Sequence, residues 1–101
     1  MILYNVTVNV QQEIEGQWLE WMRSIHIPKV LETGCFESSR FFKLLLEDQS
    51  GGTNYSIQYF AKSMEQLEQY LKLHAEKLRD EHQSKFEGKV VAFRTVLEEV
   101  I

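Results

Sequence analysis

The chain has 101 residues, of which 44% are hydrophobic and 26% charged, and its formal net charge is −4. That length fits one compact domain with no room for a second core, and the acidic balance disfavours nucleic acid, whose phosphates are held by clustered Lys and Arg. No apolar run approaches the roughly 18 residues of a membrane-spanning helix, and the single Cys35 together with a start lacking signal-peptide character points to a soluble protein in a reducing cytoplasm.

Ile2 to Val10 alternates with period two, setting Tyr4, Val6, Val8 and Val10 on one side and Leu3, Asn5, Thr7 and Asn9 on the other, the pattern of a strand with two different faces. The period then changes to 3.6. Ile14, Trp18, Trp21, Met22 and Ile25 form the apolar stripe of an amphipathic helix. Pro28 lacks an N–H and disfavours the α region at Ile27, so the sequence predicts a kinked or two-part helix that Gly34 terminates.

Residues 36–47 are rich in Phe and Leu, residues 48–52 form a turn cluster, and residues 54–61 alternate again, which predicts an antiparallel hairpin. Ser63-Met64-Glu65-Gln66 has the spacing of a capping box, so a second helix starts there. Its predicted inward stripe is Leu67, Leu71, His74, Leu78, His82 and Phe86, with Gly88 as its stop. Residues 89–101, with Val90, Val91, Ala92, Phe93, Val96 and Leu97, read as a final strand.

The order β-α-β-β-α-β is the split βαβ pattern of the ferredoxin-like α+β fold: a four-stranded antiparallel sheet with both helices on one face. The other face mixes Leu3, Phe60 and either Phe93 and Leu97 or Val96 with Asn5, Thr7, Ser56 and Gln58. An uncovered patch of that kind would be adhesive, so the expectation is a homodimer whose two sheets enclose a small space able to hold a ligand.

The run Trp21-Met22-Arg23-Ser24-Ile25-His26-Ile27-Pro28-Lys29-Val30-Leu31 resembles the Trp/Tyr…His-x-Pro stretch of the dimeric α+β barrel superfamily, which includes EthD-like proteins and antibiotic-biosynthesis-type monooxygenases. Together, Tyr4-Asn5-Val6-Thr7, His26-Ile27-Pro28, Thr33-Gly34-Cys35-Phe36, Gln58-Tyr59 and Ala92-Phe93-Arg94-Thr95 resemble the DUF4286 family over essentially the whole chain. The resemblance implies a ferredoxin-like subunit paired through its sheet, and it brings no established activity.

Among candidate site residues, His26 stands beside aromatic positions just before Pro28, where an imidazole either acts as a general base and orients a ligand or bonds a backbone carbonyl at the bend. Arg40 and Arg94 lie in strand patterns. Each either points into the space between two sheets to hold a carboxylate or phosphate, or forms an ion pair with Glu37, Glu47 or Glu98. Asn5, Thr7, Ser56 and Gln58 are hydrogen-bonding groups for the same ligand, while Tyr59 falls with the core.

His74 and His82 are eight residues apart, roughly 12 Å along a helix, too far to share a metal ion, and read as packing histidines; no metal and no cofactor is expected. Cys35 reads as a buried thiol, the glycines of residues 51–52 as a hairpin turn and not a phosphate loop, and Trp18 and Trp21 as core. The first functional reading is a homodimeric binding or interaction module for a small organic or anionic ligand, without catalysis. The alternative is a cofactor-independent monooxygenase or isomerase in which His26 is the base and Arg94 or Arg40 steadies an anion.

Overall fold

A computed structural model describes residues 1–46 and 51–101. The first strand, β1 (Ile2–Val10), leads through a 3-10 turn (Gln12–Ile14) into α1 (Glu15–Trp21), a π-helical turn (Met22–His26) and α2 (Ile27–Glu32). The hairpin strands β2 (Ser38–Lys43) and β3 (Thr53–Ala61) follow, then α3 (Met64–Leu73), α4 (Ala75–Lys85) and β4 (Val90–Glu98). The sheet order is β2-β3-β1-β4 with every pairing antiparallel, the α+β ferredoxin-like topology.

Alternation decides what each strand buries. In β1 and β3, Ile2, Tyr4, Val8 and Val10 and Tyr55, Ile57, Tyr59 and Ala61 all face the helices. They pack with Trp18, Met22, Val30, Leu67, Tyr70, Leu78 and Phe86 into one core. Each large apolar side chain so removed from water contributes about 1.5–3 kcal/mol. The shortest dimension is 19 Å, enough for a sheet and one layer of helices about 10 Å apart. The sheet's second face is therefore bare.

Pro28 does not break the first helix. Ile27 keeps helical dihedrals (φ −59°, ψ −45°), contrary to the expectation that proline would push it out of the α region. The π-helical turn just before it supplies the reason: its i→i+5 bonding loosens the ladder where proline removes a donor, and the chain enters α2 with proline in its first turn. Gly34, at φ +78°, then stops the helix, its N–H donating to the Leu31 carbonyl at 3.1 Å.

The second helix is two helices, where the sequence predicted one. Ser63 caps α3 by accepting from the Gln66 N–H at 3.3 Å, and the chain leaves helical geometry at His74 (φ −129°, ψ −29°) before α4 begins. The inward positions are Leu67 and Tyr70 and then Ala75, Leu78 and His82, so Leu71 turns out to solvent. From Tyr70 to Ala75 is five residues, out of phase with a 3.6 repeat, and the break at His74 lets both segments bury their apolar sides. The predicted hairpin turn lies outside the described residues for positions 48–50, and Gly51 and Gly52 are left-handed as such a turn requires.

Candidate active site between helices and sheet

Strand register settles the face of each candidate. Val6 pairs with Arg94 and Asn5 with Thr95, so Arg94 lies on the helix-facing side and Asn5 on the bare side. Thr7, paired with Ser56 and Phe93, and Gln58, paired with Asn5 and Arg40, share the bare face with Asn5. The expectation that Arg94 would join Asn5, Thr7, Arg40 and Gln58 in one space is thereby corrected: the six candidate residues are divided by the sheet itself, His26 and Arg94 on one side and the other four on the opposite side.

On the helix side the structure encloses a cavity of about 20 Å³ lined by Tyr4, Met22, His26, Tyr59, Tyr70, Arg79, His82 and Arg94, with Val6, Val8, Val30 and Ile57 as its apolar wall. A void of that size accommodates about one water molecule. Two guanidinium groups and two imidazoles meet there, and among the described residues no carboxylate lines it.

His26 arrives through the π-helical turn. In an α-helix, residues five apart point about 140° away from each other, whereas π-helical i→i+5 geometry brings them onto one side. Trp21 and His26 accordingly stack, with ring centroids 5.0 Å apart and planes 27° from parallel. Trp21 also stacks on His82 at 5.8 Å and 10°, and the two imidazoles are 5.5 Å apart. From the core side, the Trp18 indole N–H donates to Nε2 of His82 at 2.9 Å, which places the proton of neutral His82 on Nδ1.

Burial, the nearby His82 and the positive charges of Arg94 and Lys29 lower the pKa of His26 to about 4. His82 is lowered to about 4 by burial and by Arg94. Both rings are neutral near pH 7. Nδ1 of His26 is buried and has no partner among the described residues, so the predicted bond from His26 to a carbonyl at the bend is not made through this atom. Nε of Arg79 is likewise buried and unpartnered, while its Nη2 donates to the Tyr4 hydroxyl at 2.8 Å.

The phenols of Tyr59 and Tyr70 are pushed above the ordinary tyrosine range by burial, reinforced by the neighbouring tyrosines, and stay protonated. Phe36 backs them, with ring centroids 5.2 Å from Tyr59 and 4.8 Å from Tyr70. Sequence reasoning took Tyr59 as core and passed over Tyr4, Tyr70 and Arg79. A signal for Arg79 was present: it lies three residues before His82, the spacing that puts two side chains on one helix face.

On the bare face the polar side chains satisfy each other. The Asn5 amide donates to Thr7 Oγ1 at 3.1 Å and Thr95 Oγ1 at 3.2 Å, Ser56 donates to the Asn5 carbonyl at 2.6 Å, and Gln58 reaches Ser56 at 3.5 Å. Arg40 is exposed beside them without an ion pair among the described residues, and its predicted partner Glu37 pairs with Lys62 at 3.7 Å. Of the other two predicted partners, Glu47 lies outside the described residues, and Glu98 forms no ion pair among them. Around this centre stand Phe42, Val91, Phe93 and Leu97, each close to half exposed or more.

These features define an α+β ferredoxin-like domain of the type seen in the α+β barrels of antibiotic-biosynthesis monooxygenases, with a cationic cavity between its helices and its sheet. The chain belongs to the family of the domain of unknown function DUF4286, whose model matches residues 1–100.

Many solved structures share the fold, among them the following three. An EthD family protein from Bacillus halodurans superposes with a TM-score of 0.73 at 16% identity, covering 99% of this chain and 100% of that one. HapK from Hahella chejuensis gives 0.70 at 6% identity, covering 99% and 93%. A point mutant of SnoaB, a cofactor-independent oxygenase from Streptomyces nogalater, gives 0.64 at 8% identity, covering 97% and 92%. No curated protein matches the chain by sequence. Among the described residues no helix is long and apolar enough to cross a membrane.

Proposed function

We propose that the cavity between the helices and the sheet binds the anionic end of a small organic ligand, with Arg79 and Arg94 supplying the charge and His26 a hydrogen bond. The observation that carries this reading is the lining itself. Among the described residues, two arginines converge on this space without a carboxylate, and two buried nitrogens, Nδ1 of His26 and Nε of Arg79, have no hydrogen-bond partner. Buried polar groups are ordinarily satisfied, and a carboxylate offers two oxygens to such donors. As it stands the cavity admits little beyond a water-sized group, so a larger ligand enters carboxylate first and moves the helices outward.

The domain works as a homodimer in the reducing cytoplasm, its bare sheet faces packed on each other. The exposed Val91, Phe93, Leu97 and Phe42 support this arrangement, as does the groove of about 480 Å³ between Met1, Leu3, Phe60 and Leu97 at one end of the same face. Asn5, Thr7, Gln58 and Arg40 then face the second sheet, where they fix its register and contact any ligand held between the sheets. The buried, free Cys35 suits a compartment without disulfides.

A second reading is favoured by a specific feature: a neutral, unpartnered imidazole stands beside arginines in one cavity, the arrangement of a general base next to an anion stabiliser. In that reading His26 takes a proton from an enolisable substrate and Arg94 holds the resulting anion, in a cofactor-independent oxygenase or isomerase. The likeness to SnoaB supports the reaction class.

The test is a fluorescence titration reporting on Trp21, using formate, acetate and benzoate as a size series and benzamide as the neutral counterpart of benzoate. Carboxylates are expected to bind and benzamide to bind at least tenfold more weakly, with Arg94→Met losing that difference. Equal binding of benzoate and benzamide would overturn the anion site.

A further inference from the structure

The two cavity imidazoles have different freedoms. His82 is fixed, because its Nε2 already accepts the Trp18 N–H, and Trp18 is wholly buried and cannot swing aside. Adding a proton to that nitrogen would set two N–H groups against each other. Among the described residues His26 carries no such bond, and its buried Nδ1 is unpartnered.

Among the described residues, every charge facing His26 is positive. Arg79 approaches from α4 beside the neutral ring of His82, Arg94 from β4 and Lys29 from α2, while the phenols of Tyr4, Tyr59 and Tyr70 complete the polar lining from β1, β3 and α3. Lys29 is itself paired with Glu81 of α4 at 3.3 Å, away from the cavity lining. While no anion is bound, repulsion from these cations and loss of hydration both keep His26 neutral. An oxyanion between the arginines reverses the sign of the first effect, since an opposite charge within a few ångströms favours the charged imidazole.

We infer that His26 is the group that answers occupancy: when an oxyanion enters beside Arg79 and Arg94, one proton passes from solvent to the free nitrogen of His26, while His82 remains neutral. The imidazolium then donates from both ring nitrogens, and Nδ1 gains a partner. Ligand and proton enter together, so the cavity takes carboxylates more tightly as the pH falls and leaves neutral isosteres unaffected. This inference rests on the anion-site reading of the cavity.

Isothermal titration of the full chain with acetate and with benzoate at about pH 6.5, near the ordinary histidine value, tests it in two buffers of different ionisation enthalpy. The expected result is an apparent enthalpy that changes between buffers by an amount corresponding to about one proton taken up, with the apparent Kd rising by up to tenfold per pH unit above that pH. His26→Asn keeps polarity and cannot titrate, and is expected to bind without any buffer dependence. Should that variant not fold, nuclear magnetic resonance titration of the wild type, with and without acetate, carries the test: the His26 pKa is expected to rise on binding and that of His82 to stay.

Binding with no buffer dependence, or a pKa rise at His82 instead of His26, overturns the coupling while leaving the anion site standing. Absence of binding by either carboxylate overturns the anion site, and the coupling with it.

Discussion

Trp18 and His82, 64 positions apart in the chain, are joined by a buried hydrogen bond of 2.9 Å from the indole Nε1 to the imidazole Nε2. This bond ties α1 to α4 across the core and sets the tautomer of the histidine. Trp18→Phe removes the donor and strands a buried acceptor, a loss of about 1–3 kcal/mol, to which the smaller ring adds a cavity cost. Urea denaturation should show that destabilisation. In the wild type, long-range proton–nitrogen correlation should find His82 protonated at Nδ1; protonation at Nε2 in the neutral ring would contradict the assignment.

Stability should fall on acidification before the carboxylates titrate. The folded-state pKa values of His26 and His82 are lowered to about 4 from an ordinary value of 6.5. Between these limits the unfolded chain binds more protons than the folded one, so stability is fully present above about pH 6.5 and drains away as the pH drops towards 4. Each unit of depression corresponds to about 1.4 kcal/mol, so each ring accounts for at most roughly 3 kcal/mol over this window. Thermal melts at graded pH should show a melting temperature that declines from pH 6.5 downwards. A melting temperature flat to pH 5 would show that the imidazoles are not held neutral by the fold.

The Ser63 cap is expected to be worth about 1 kcal/mol. Ser63→Ala removes the acceptor for the Gln66 N–H at the start of α3, and the midpoint of urea unfolding should shift down with no change in slope. Ser63→Asp, which restores an acceptor and places a negative charge at a helix N-terminus, should recover most of the loss. A null effect in Ser63→Ala would mean that water replaces the hydroxyl at no cost.

Phe93 is 61% exposed on the bare face, in the edge strand β4 beside Thr7 of β1. If that face pairs with a second copy, Phe93→Asp puts two buried like charges near one another and should yield a monomer by native mass spectrometry, with circular dichroism unchanged. A wild-type chain that runs as a monomer at micromolar concentration would remove the basis for pairing.

Where local chemistry dominates, the fold was legible in the sequence. Strict alternation marked β1 from Ile2 to Val10, and Ser63 marked the start of α3. The break at His74 was not legible, because neither Gly nor Pro occurs there and the cause is tertiary: Tyr70 and Ala75 both seek the core across an off-phase gap. The face of Arg94 was hidden for a different reason. Val90, Val91, Ala92 and Phe93 are all apolar, so alternation is silent just where it would have separated inside from outside, and only the pairing of Val10 with Val90 fixes the register. His26 was found because it stands beside aromatics and proline, but its neighbours Arg79 and His82 come from a helix more than fifty positions away, a proximity no local pattern encodes.

The π-helical turn between Met22 and His26 carries one residue more than an α-helix needs to join α1 to α2 in the same phase. Deleting one residue from it would favour ordinary α-helix and leave Trp21 and His26 four apart, about 40° around the axis and still on one face. Winding the turn as α-helix at its present length would instead carry His26 about 140° from the ring of Trp21, and Val30, fully buried at present, would turn away from the core along with it. The spacing between Trp21 and His26 therefore behaves like a gear tooth count, in which the number of residues carries information that their identities alone do not.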